Sequence, residues 1–256
     1  MSYIIAEQIT KTFGNENSQV TAVDDISFKI DEGEFVAVMG ESGAGKSTLL
    51  GVMGAMNAPT SGRLVVDDID VYGLYQEQQA DFRREFLGFI FQSFHLVPYL
   101  TVIENVMLPL AVIKMENRKK REMAKDALAQ VGLTDKASRL PNQISGGESE
   151  RVAVARAIVN EPPVLLADEP TGNLDKKNTQ EIMELLGRLN QDGMTIVMVT
   201  HSQDCAHRAS RIIQISDGCL IADDVIAKGV IEMTKEKTNR ILVMNQDAAL
   251  LASGHS

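Results

Sequence analysis

Eight consecutive residues, Gly40 to Ser47, have the types and spacing of a loop that binds phosphate groups. They match the pattern G-x-x-x-x-G-K-[ST], between an apolar run and a helical pattern, which is the context that it requires. Glycines let backbone N–H groups turn around phosphates, and the following helix adds its positive dipole end. Lys46 is expected to reach the terminal phosphates and Ser47 to ligate Mg²⁺. The predicted binding residues are Gly40, Glu41, Ser42, Gly43, Ala44, Gly45, Lys46, Ser47 and Thr48.

A pair of carboxylates follows a second apolar run. Val164–Ala167 has the composition of a buried strand, and Asp168 and Glu169 come directly after it. Ligands of open parallel sheets lie at the carboxyl ends of the strands, where the phosphate loop is also expected. We therefore predict that Asp168 holds Mg²⁺ through water and that Glu169 activates the attacking water. Without the phosphate loop, such a pair is more often a helix cap.

A histidine occupies an equivalent position after a third apolar run. His201 follows Ile196–Val199 and Thr200, again at the carboxyl end of a predicted strand. An imidazole there can contact the γ-phosphate and orient the catalytic base. We predict this role for His201, whereas the other three histidines have no comparable placement.

The runs that carry these residues predict an α/β fold. Phe35–Met39, Val164–Ala167 and Ile196–Val199 are apolar on both faces, as parallel strands covered by helices must be. Apolar and polar residues alternate from Ile26 to Ile30, which predicts an antiparallel strand near the start. Ile212–Ile221 predicts a closing hairpin, because an Asp-Gly turn divides it.

Helical patterns lie between the predicted strands. Lys46–Met56 and Ile182–Leu189 predict helices, the second with an apolar stripe. A third helical stretch is predicted from Thr101 to about Met123, and Thr101 with Glu104 forms a possible capping box at its start. We expect a helical insertion spanning about Gly88 to Asn160.

Composition excludes several classes of protein. The chain has 256 residues, 44% of them hydrophobic, which is enough for a sizeable core. A formal net charge of -10 argues against nonspecific binding to nucleic acid or anionic lipid. The only cysteines, Cys205 and Cys219, are typical of a reducing compartment. Neither a signal peptide nor an apolar run of membrane-spanning length is found, so we expect a soluble protein without direct lipid insertion.

The segment Ile144-Ser145-Gly146-Gly147-Glu148, with Arg151 in the following helix, resembles the L-S-G-G-Q signature of ABC ATPases. Its position between the phosphate loop and the acidic pair makes the resemblance specific. A serine and exposed glycine N–H groups at a helix N-terminus form a second anion site. The resemblance implies ATP binding by Ser145, Gly146, Gly147 and Glu148.

Other family elements follow in the expected order over about residues 1 to 223. Phe13 resembles the aromatic that stacks on adenine, and a core aromatic is the alternative. Gln92 resembles the glutamine that senses Mg²⁺ and the attacking water, and Asp175 resembles the residue that reaches the partner subunit. Glu148 replaces the commoner Gln and Glu41 the commoner Pro, but neither change removes a backbone donor.

The family resemblance implies a fold, cofactors and partners. The fold is a P-loop NTPase (RecA-like) core with an antiparallel β subdomain and an inserted α-helical subdomain. ATP and Mg²⁺ are the implied cofactors. The implied partners are a second copy, in a head-to-tail ATP-sandwich dimer, and an integral-membrane permease. The subunit would be cytoplasmic and peripheral on the inner face of the cell membrane.

A narrower resemblance is to the lipoprotein-release, macrolide-export and antimicrobial-peptide-export branch. It rests on Phe82–Arg84, Leu87–Gln92, Leu100–Val106, Pro109-Leu110 and Glu169–Asp175. An ATPase that regulates cell-envelope enzymes without transport is the alternative. The apolar segment Ser93–Leu100 predicts either a permease-docking surface or core packing. The extension 224–256 holds a possible strand at Ile241–Met244, and a flexible tail is the alternative.

Overall fold

The computed structural model describes residues 2–14 and 18–226 of the chain. Two sheets and seven α-helices occupy these ranges. The strands are β1 Ser2–Phe13, β2 Val20–Asp31, β3 Phe35–Met39, β4 Ser61–Val66, β5 Ile69–Asp70, β6 Leu87–Ile90, β7 Val164–Asp168, β8 Thr195–Thr200, β9 Arg211–Ser216 and β10 Cys219–Val225. The α-helices are α1 Lys46–Met53, α2 Gln76–Phe86, α3 Val102–Met107, α4 Asn117–Gln130, α5 Gly146–Ile158, α6 Lys176–Gln191 and α7 Gln203–Ala206. The predicted strand at Ile241–Met244 lies outside the described residues.

The larger sheet positions the predicted chemistry. Its strand order is β10-β9-β3-β8-β7-β6, and all neighbouring pairs are parallel except β10 with β9. Side chains of β3 alternate between two cores: Phe35 and Ala37 pack on one face, Val36 and Val38 on the other. Burial on both faces explains the continuous apolar runs and confirms the predicted parallel strands.

The smaller sheet is antiparallel, with the strand order β2-β1-β4-β5. Its apolar side chains share one core with α1 and one face of the larger sheet. Helices α3, α4 and α5 fall between β6 and β7 in the chain and pack against one another in the other core. These layers confirm the predicted fold class of an α/β core with an antiparallel sheet and inserted helices.

One predicted helix is two helices. The stretch from Thr101 to about Met123 is interrupted after Met107 by a 3₁₀ turn over Leu108–Leu110. Pro109 lies in this turn, and proline has no N–H to continue an α-helix. The predicted capping box is confirmed, because Thr101 caps α3 and its N–H donates to Glu104 at 2.8 Å.

Two other helices differ from prediction at their ends. Helix α1 ends at Met53 rather than Met56, because Gly54 forms its C-cap and glycine is a poor helix former. Helix α6 begins at Lys176, six residues before the predicted start, because the side chain of Asp175 caps it. Its first turns are polar, so the prediction made from the apolar stripe did not include them.

The predicted closing hairpin is present. Asp217 and Gly218, at φ 48° and 79°, form the turn between β9 and β10. Both residues have the positive φ that a two-residue turn of this kind requires.

In the part of the chain that the structure describes, no helix combines the length and the apolar character needed to cross a bilayer.

Candidate functional site

The phosphate loop joins β3 to α1 and encloses its own lysine. The Lys46 side chain is buried, and its Nζ donates to the carbonyl oxygens of Gly40 at 2.9 Å and Glu41 at 2.7 Å. Gly45 has φ +95°, and a Cβ there would overlap the carbonyl oxygen of Ala22. Gly43 has φ +83° and faces open space. The loop is therefore a backbone cradle whose open side can accept phosphate oxygens.

A cleft of about 540 Å³ opens on this loop. It brings together the predicted residues of four separate segments, including Gln92, Glu169 and His201. Ala22 of β2 also lines it and was not predicted, because a small residue in an alternating strand carries no chemical signal. Among residues 2–14 and 18–226, the cleft is lined by Ala22, Ser42, Gly43, Gly45, Lys46, Ser47, Thr48, Gln92, Glu169 and His201.

Two oxygen ligands suited to Mg²⁺ meet beside the loop. The hydroxyl of Ser47 donates to Asp168 Oδ1 at 3.0 Å, across 121 positions of sequence. Burial raises the pKa of the Asp168 carboxyl above its ordinary value, and the Ser47 hydrogen bond opposes this rise. Mg²⁺ prefers oxygen ligands and is commonly held by one or two protein groups together with phosphate. The pair fits such an ion, whose charge would stabilise the carboxylate.

Glu169 is the centre of a second polar cluster. Its backbone lies in the left-handed region at φ 47°, immediately after β7. Gln92 Nε2 donates to Glu169 Oε2 at 3.3 Å, and Nδ1 of His201 lies 3.2 Å from the same oxygen. The carboxylate is mostly buried, whereas the His201 side chain is 63% exposed. The cluster places one carboxylate where a water molecule facing the loop could be held.

A further contact in this cluster was not predicted from sequence. Asn173 Nδ2 donates to the backbone carbonyl of Gln92 at 3.1 Å. Asn173 lies in Glu169–Asp175, one of the segments on which the family resemblance rests. The bond joins residues 81 positions apart, and the sequence gave no signal for it. The contact links the segment after β7 directly to the segment after β6.

The signature residues lie at the start of α5, and the cleft lining includes none of them. Ser145 caps α5, accepting from the N–H of Glu148, while its own N–H donates to Glu148 Oε2 at 2.7 Å. That backbone hydrogen bond is the main cause that lowers the pKa of Glu148. A Cβ on Gly147 would overlap the side chain of Asn178, and Gly146 faces open space. Close packing against α6 thus explains one glycine, whereas the other leaves the helix N-terminus open.

Asp175 and Phe13 also lie outside the cleft lining. Asp175 caps α6, and hydrogen bonds from Asn178 lower the pKa of its carboxyl. Phe13, at the end of β1, is 45% exposed, with Nζ of Lys11 5.1 Å from its ring centroid. The exposure excludes the alternative of a core aromatic. Lys11 covers one face of the ring, and the other face can stack on a planar ligand.

Comparisons with known proteins agree with this geometry. Residues 23–172 match the sequence profile of the ABC transporter family. The macrolide export ATP-binding/permease protein MacB of Vibrio parahaemolyticus is 44% identical over 232 residues, which cover 91% of this chain but 36% of MacB. This chain therefore spans about a third of that relative. YvrO of Bacillus subtilis, an uncharacterized ABC transporter ATP-binding protein, is 43% identical over 84% of this chain and 94% of YvrO.

Solved structures show the same fold. The ATP-binding cassette MJ0796, in a dimeric post-hydrolysis state bound to ADP and Pi, superposes with a TM-score of 0.81 and 40% identity. The match covers 88% of this chain and 99% of that one. Together with the family profile, it confirms the predicted nucleotide-binding fold and the predicted ATP hydrolase activity. The chain belongs to the ABC transporter family.

Proposed function

We propose that this chain powers a membrane export or extraction complex through ATP-dependent, head-to-tail dimerisation. One observation carries the proposal: the phosphate loop and the signature serine lie at two separate places on one chain. The cleft at the loop is lined without Ser145 or the glycines after it, and Gly146 opens to solvent. A second copy can supply its signature helix to the open side of the cleft, so that each bound ATP contacts both copies.

The proposed chemistry divides among the residues of the cleft. The backbone of Gly40–Ser47 and the ammonium of Lys46 hold the phosphates. Ser47 and Asp168 would hold Mg²⁺, which neutralises phosphate charge when bound, and Gln92 would contact the metal and the water. Glu169 accepts the proton of the attacking water, and His201 orients that carboxylate from 3.2 Å.

Residues outside the cleft have proposed roles at its rim and in the partner. Phe13 would stack on adenine. Ser145, Gly146, Gly147 and Glu148 would bind the nucleotide held by the other copy, and Asp175 would reach across the interface. The dimeric MJ0796 cassettes support this arrangement. ATP favours closure of the dimer only to the extent that it binds the closed state more tightly than the open state.

The proposed permease-docking surface is the segment Ser93–Leu100. Arg156 of α5 donates to the backbone carbonyls of Phe94 and His95, both at 2.7 Å. The side chain of Asn105 fixes Val97 through two hydrogen bonds. This segment is thus tied to the signature helix, and it directly follows Gln92. Movement of either element would reach the docking surface.

The docking segment combines anchoring and exposed side chains. Tyr99 is 80% exposed and Phe94 is partly buried, whereas Leu96 packs against the helical core. A charge at Leu96 would therefore disturb packing as well as docking, and Phe94 is the cleaner position to test.

We propose that the domain spans 1–223, with a helical insertion at about 88–160, and that the subunit is cytoplasmic on the inner face of the membrane, held there by the permease.

The substitution Glu169→Gln tests the proposal. It removes the base and keeps the size of the side chain, so turnover should fall about a thousandfold while ATP binding remains. With turnover blocked, Mg-ATP should accumulate a dimer, measured by light scattering. A monomer at saturating Mg-ATP would contradict the proposed dimer, and full turnover would contradict the role of Glu169.

A further inference from the structure

The back of the phosphate loop is held by the turn between β9 and β10. The N–H of Gly218 donates to the carbonyl oxygen of Ala44 at 3.2 Å. Ala44 belongs to the phosphate loop, is buried, and is not among the residues that line the cleft. The turn residue thus fixes the backbone of the loop without touching the cleft itself.

The same turn also holds β2. The carbonyl oxygen of Gly218 accepts from the N–H of Asp24 at 2.8 Å. A Cβ on Gly218 would lie 3.1 Å from the carbonyl oxygen of Ala22 and 3.4 Å from Cα of Val23. Gly218 is therefore wedged between the phosphate loop of the larger sheet and a strand of the smaller sheet. Both of its backbone polar groups are used, one toward each side.

Glycines on the facing side show how close the approach is. A Cβ on Gly45 would overlap the carbonyl oxygen of Ala22 and lie 3.6 Å from Cα of Gly218. A Cβ on Gly40 would overlap the carbonyl oxygen of Ile215, at the end of β9. Three backbone segments thus meet without intervening side chains. Tight backbone packing of this kind transmits small displacements, because it has no flexible side chains to absorb them.

We propose that Gly218 is a positioning residue that couples the phosphate half of the nucleotide site to its base half. The phosphate half is the loop that contains Ala44. The base half is the β1–β2 ribbon, in which Phe13 pairs with Val20 and Ala22 lines the cleft. The proposal rests on the proposed ATP-binding role of this cleft. Gly218 acts through the backbone of its two neighbours and makes no contact with ATP.

The variant Gly218→Ala tests the proposal, with Gly132→Ala as a matched control. Gly132 has a similar φ, +71° against +79°, but a Cβ there meets nothing within 4 Å. Both variants therefore carry the same backbone strain, and only the first crowds Ala22. We expect Gly218→Ala to weaken Mg-ATP binding about tenfold, whereas Gly132→Ala binds ATP like the parent, since a displacement of a few tenths of an ångström is enough to impair a positioned site.

Two further measurements separate the possible outcomes: ATP binding by Lys46→Ala, and hydrogen exchange on the parent protein. Lys46→Ala should abolish Mg-ATP binding; if it binds ATP normally, the proposed function itself is wrong. If Lys46→Ala fails to bind while Gly218→Ala binds like Gly132→Ala, the positioning role alone is overturned. If Gly218→Ala does not fold, hydrogen exchange on the parent protein tests the coupling instead. Mg-ATP should slow exchange at the N–H groups of Gly218 and Asp24, and unchanged exchange there would refute the coupling.

Discussion

Glu150 is a buried carboxyl group whose partners do not fully offset the loss of contact with water. It lies in α5, two residues after Glu148, and is 1% exposed. Its Oε1 has no hydrogen-bond partner among the described residues. Burial raises its pKa to about 8, although the Arg156 guanidinium opposes the rise. The folded protein therefore holds a proton at Glu150 under conditions in which the unfolded chain has lost it.

The sign and size of the effect on stability follow from this pKa. An unfolded glutamate has a pKa near 4.5, so between pH 4.5 and 8 the folded state binds one proton more than the unfolded state. The free energy of unfolding then falls with rising pH, by about 1.4 kcal/mol per pH unit at 25 °C. Over the whole window the loss is on the order of 5 kcal/mol, an upper bound for a single site. Above pH 8 this contribution is constant.

The substitution Glu150→Gln removes the titration and keeps the shape of the side chain. We expect the variant to match the parent in free energy of unfolding at pH 5 and to exceed it by several kcal/mol at pH 8. Urea unfolding at both pH values measures the difference. Glu184→Gln, on the exposed face of α6, is the control and should change little at either pH. An equal difference between Glu150→Gln and the parent at pH 5 and pH 8 would refute the reasoning.

Two further predictions separate binding, chemistry and docking. Lys46→Ala should lose ATP affinity, whereas Ser145→Arg should keep it and lose hydrolysis; equal loss of affinity in filter-binding assays would argue against a composite site. Because Ser145 also caps α5, its variant should lose about 1 kcal/mol of stability. Phe94→Glu should keep basal ATPase activity and lose co-purification with a co-expressed permease, while Ile221→Glu, on the opposite edge strand β10, keeps both. Loss of basal ATPase in Phe94→Glu would assign Ser93–Leu100 to core packing.

Local patterns predicted the elements well where one physical constraint dominates. The phosphate loop and the strand before Asp168 were predictable, because a phosphate cradle needs glycines and a doubly covered strand needs apolar residues on both faces. Pro109 is itself a signal for a helix break, but the prediction followed the helical pattern of the residues on both sides of it. The early start of α6 was missed because a cap and polar first turns carry no apolar periodicity.

Contacts between distant segments were not predictable. The side chain of Asn173 donates to a backbone carbonyl of Gln92, and Gly218 meets Ala44 through backbone groups alone. A backbone acceptor is present at every residue, so the sequence does not mark which one is used. The pKa of Glu150 has the same origin, because a glutamate on a helix pattern is expected to face solvent. Such features depend on which elements pack together, and that is fixed only by the complete fold.

The internal hydrogen bonds of Lys46 have a consequence for nucleotide exchange. The buried ammonium donates to the carbonyls of Gly40 and Glu41. A buried ammonium with no acceptor would cost several kcal/mol, and that penalty would oppose departure of the product. Because the carbonyls of the loop act as substitute acceptors, ADP can leave without depriving the Lys46 ammonium of hydrogen-bond partners. We therefore expect these two hydrogen bonds to lower the barrier to product release. We also expect the loop to favour anionic ligands, since an anion is a stronger acceptor for the ammonium than two neutral carbonyls.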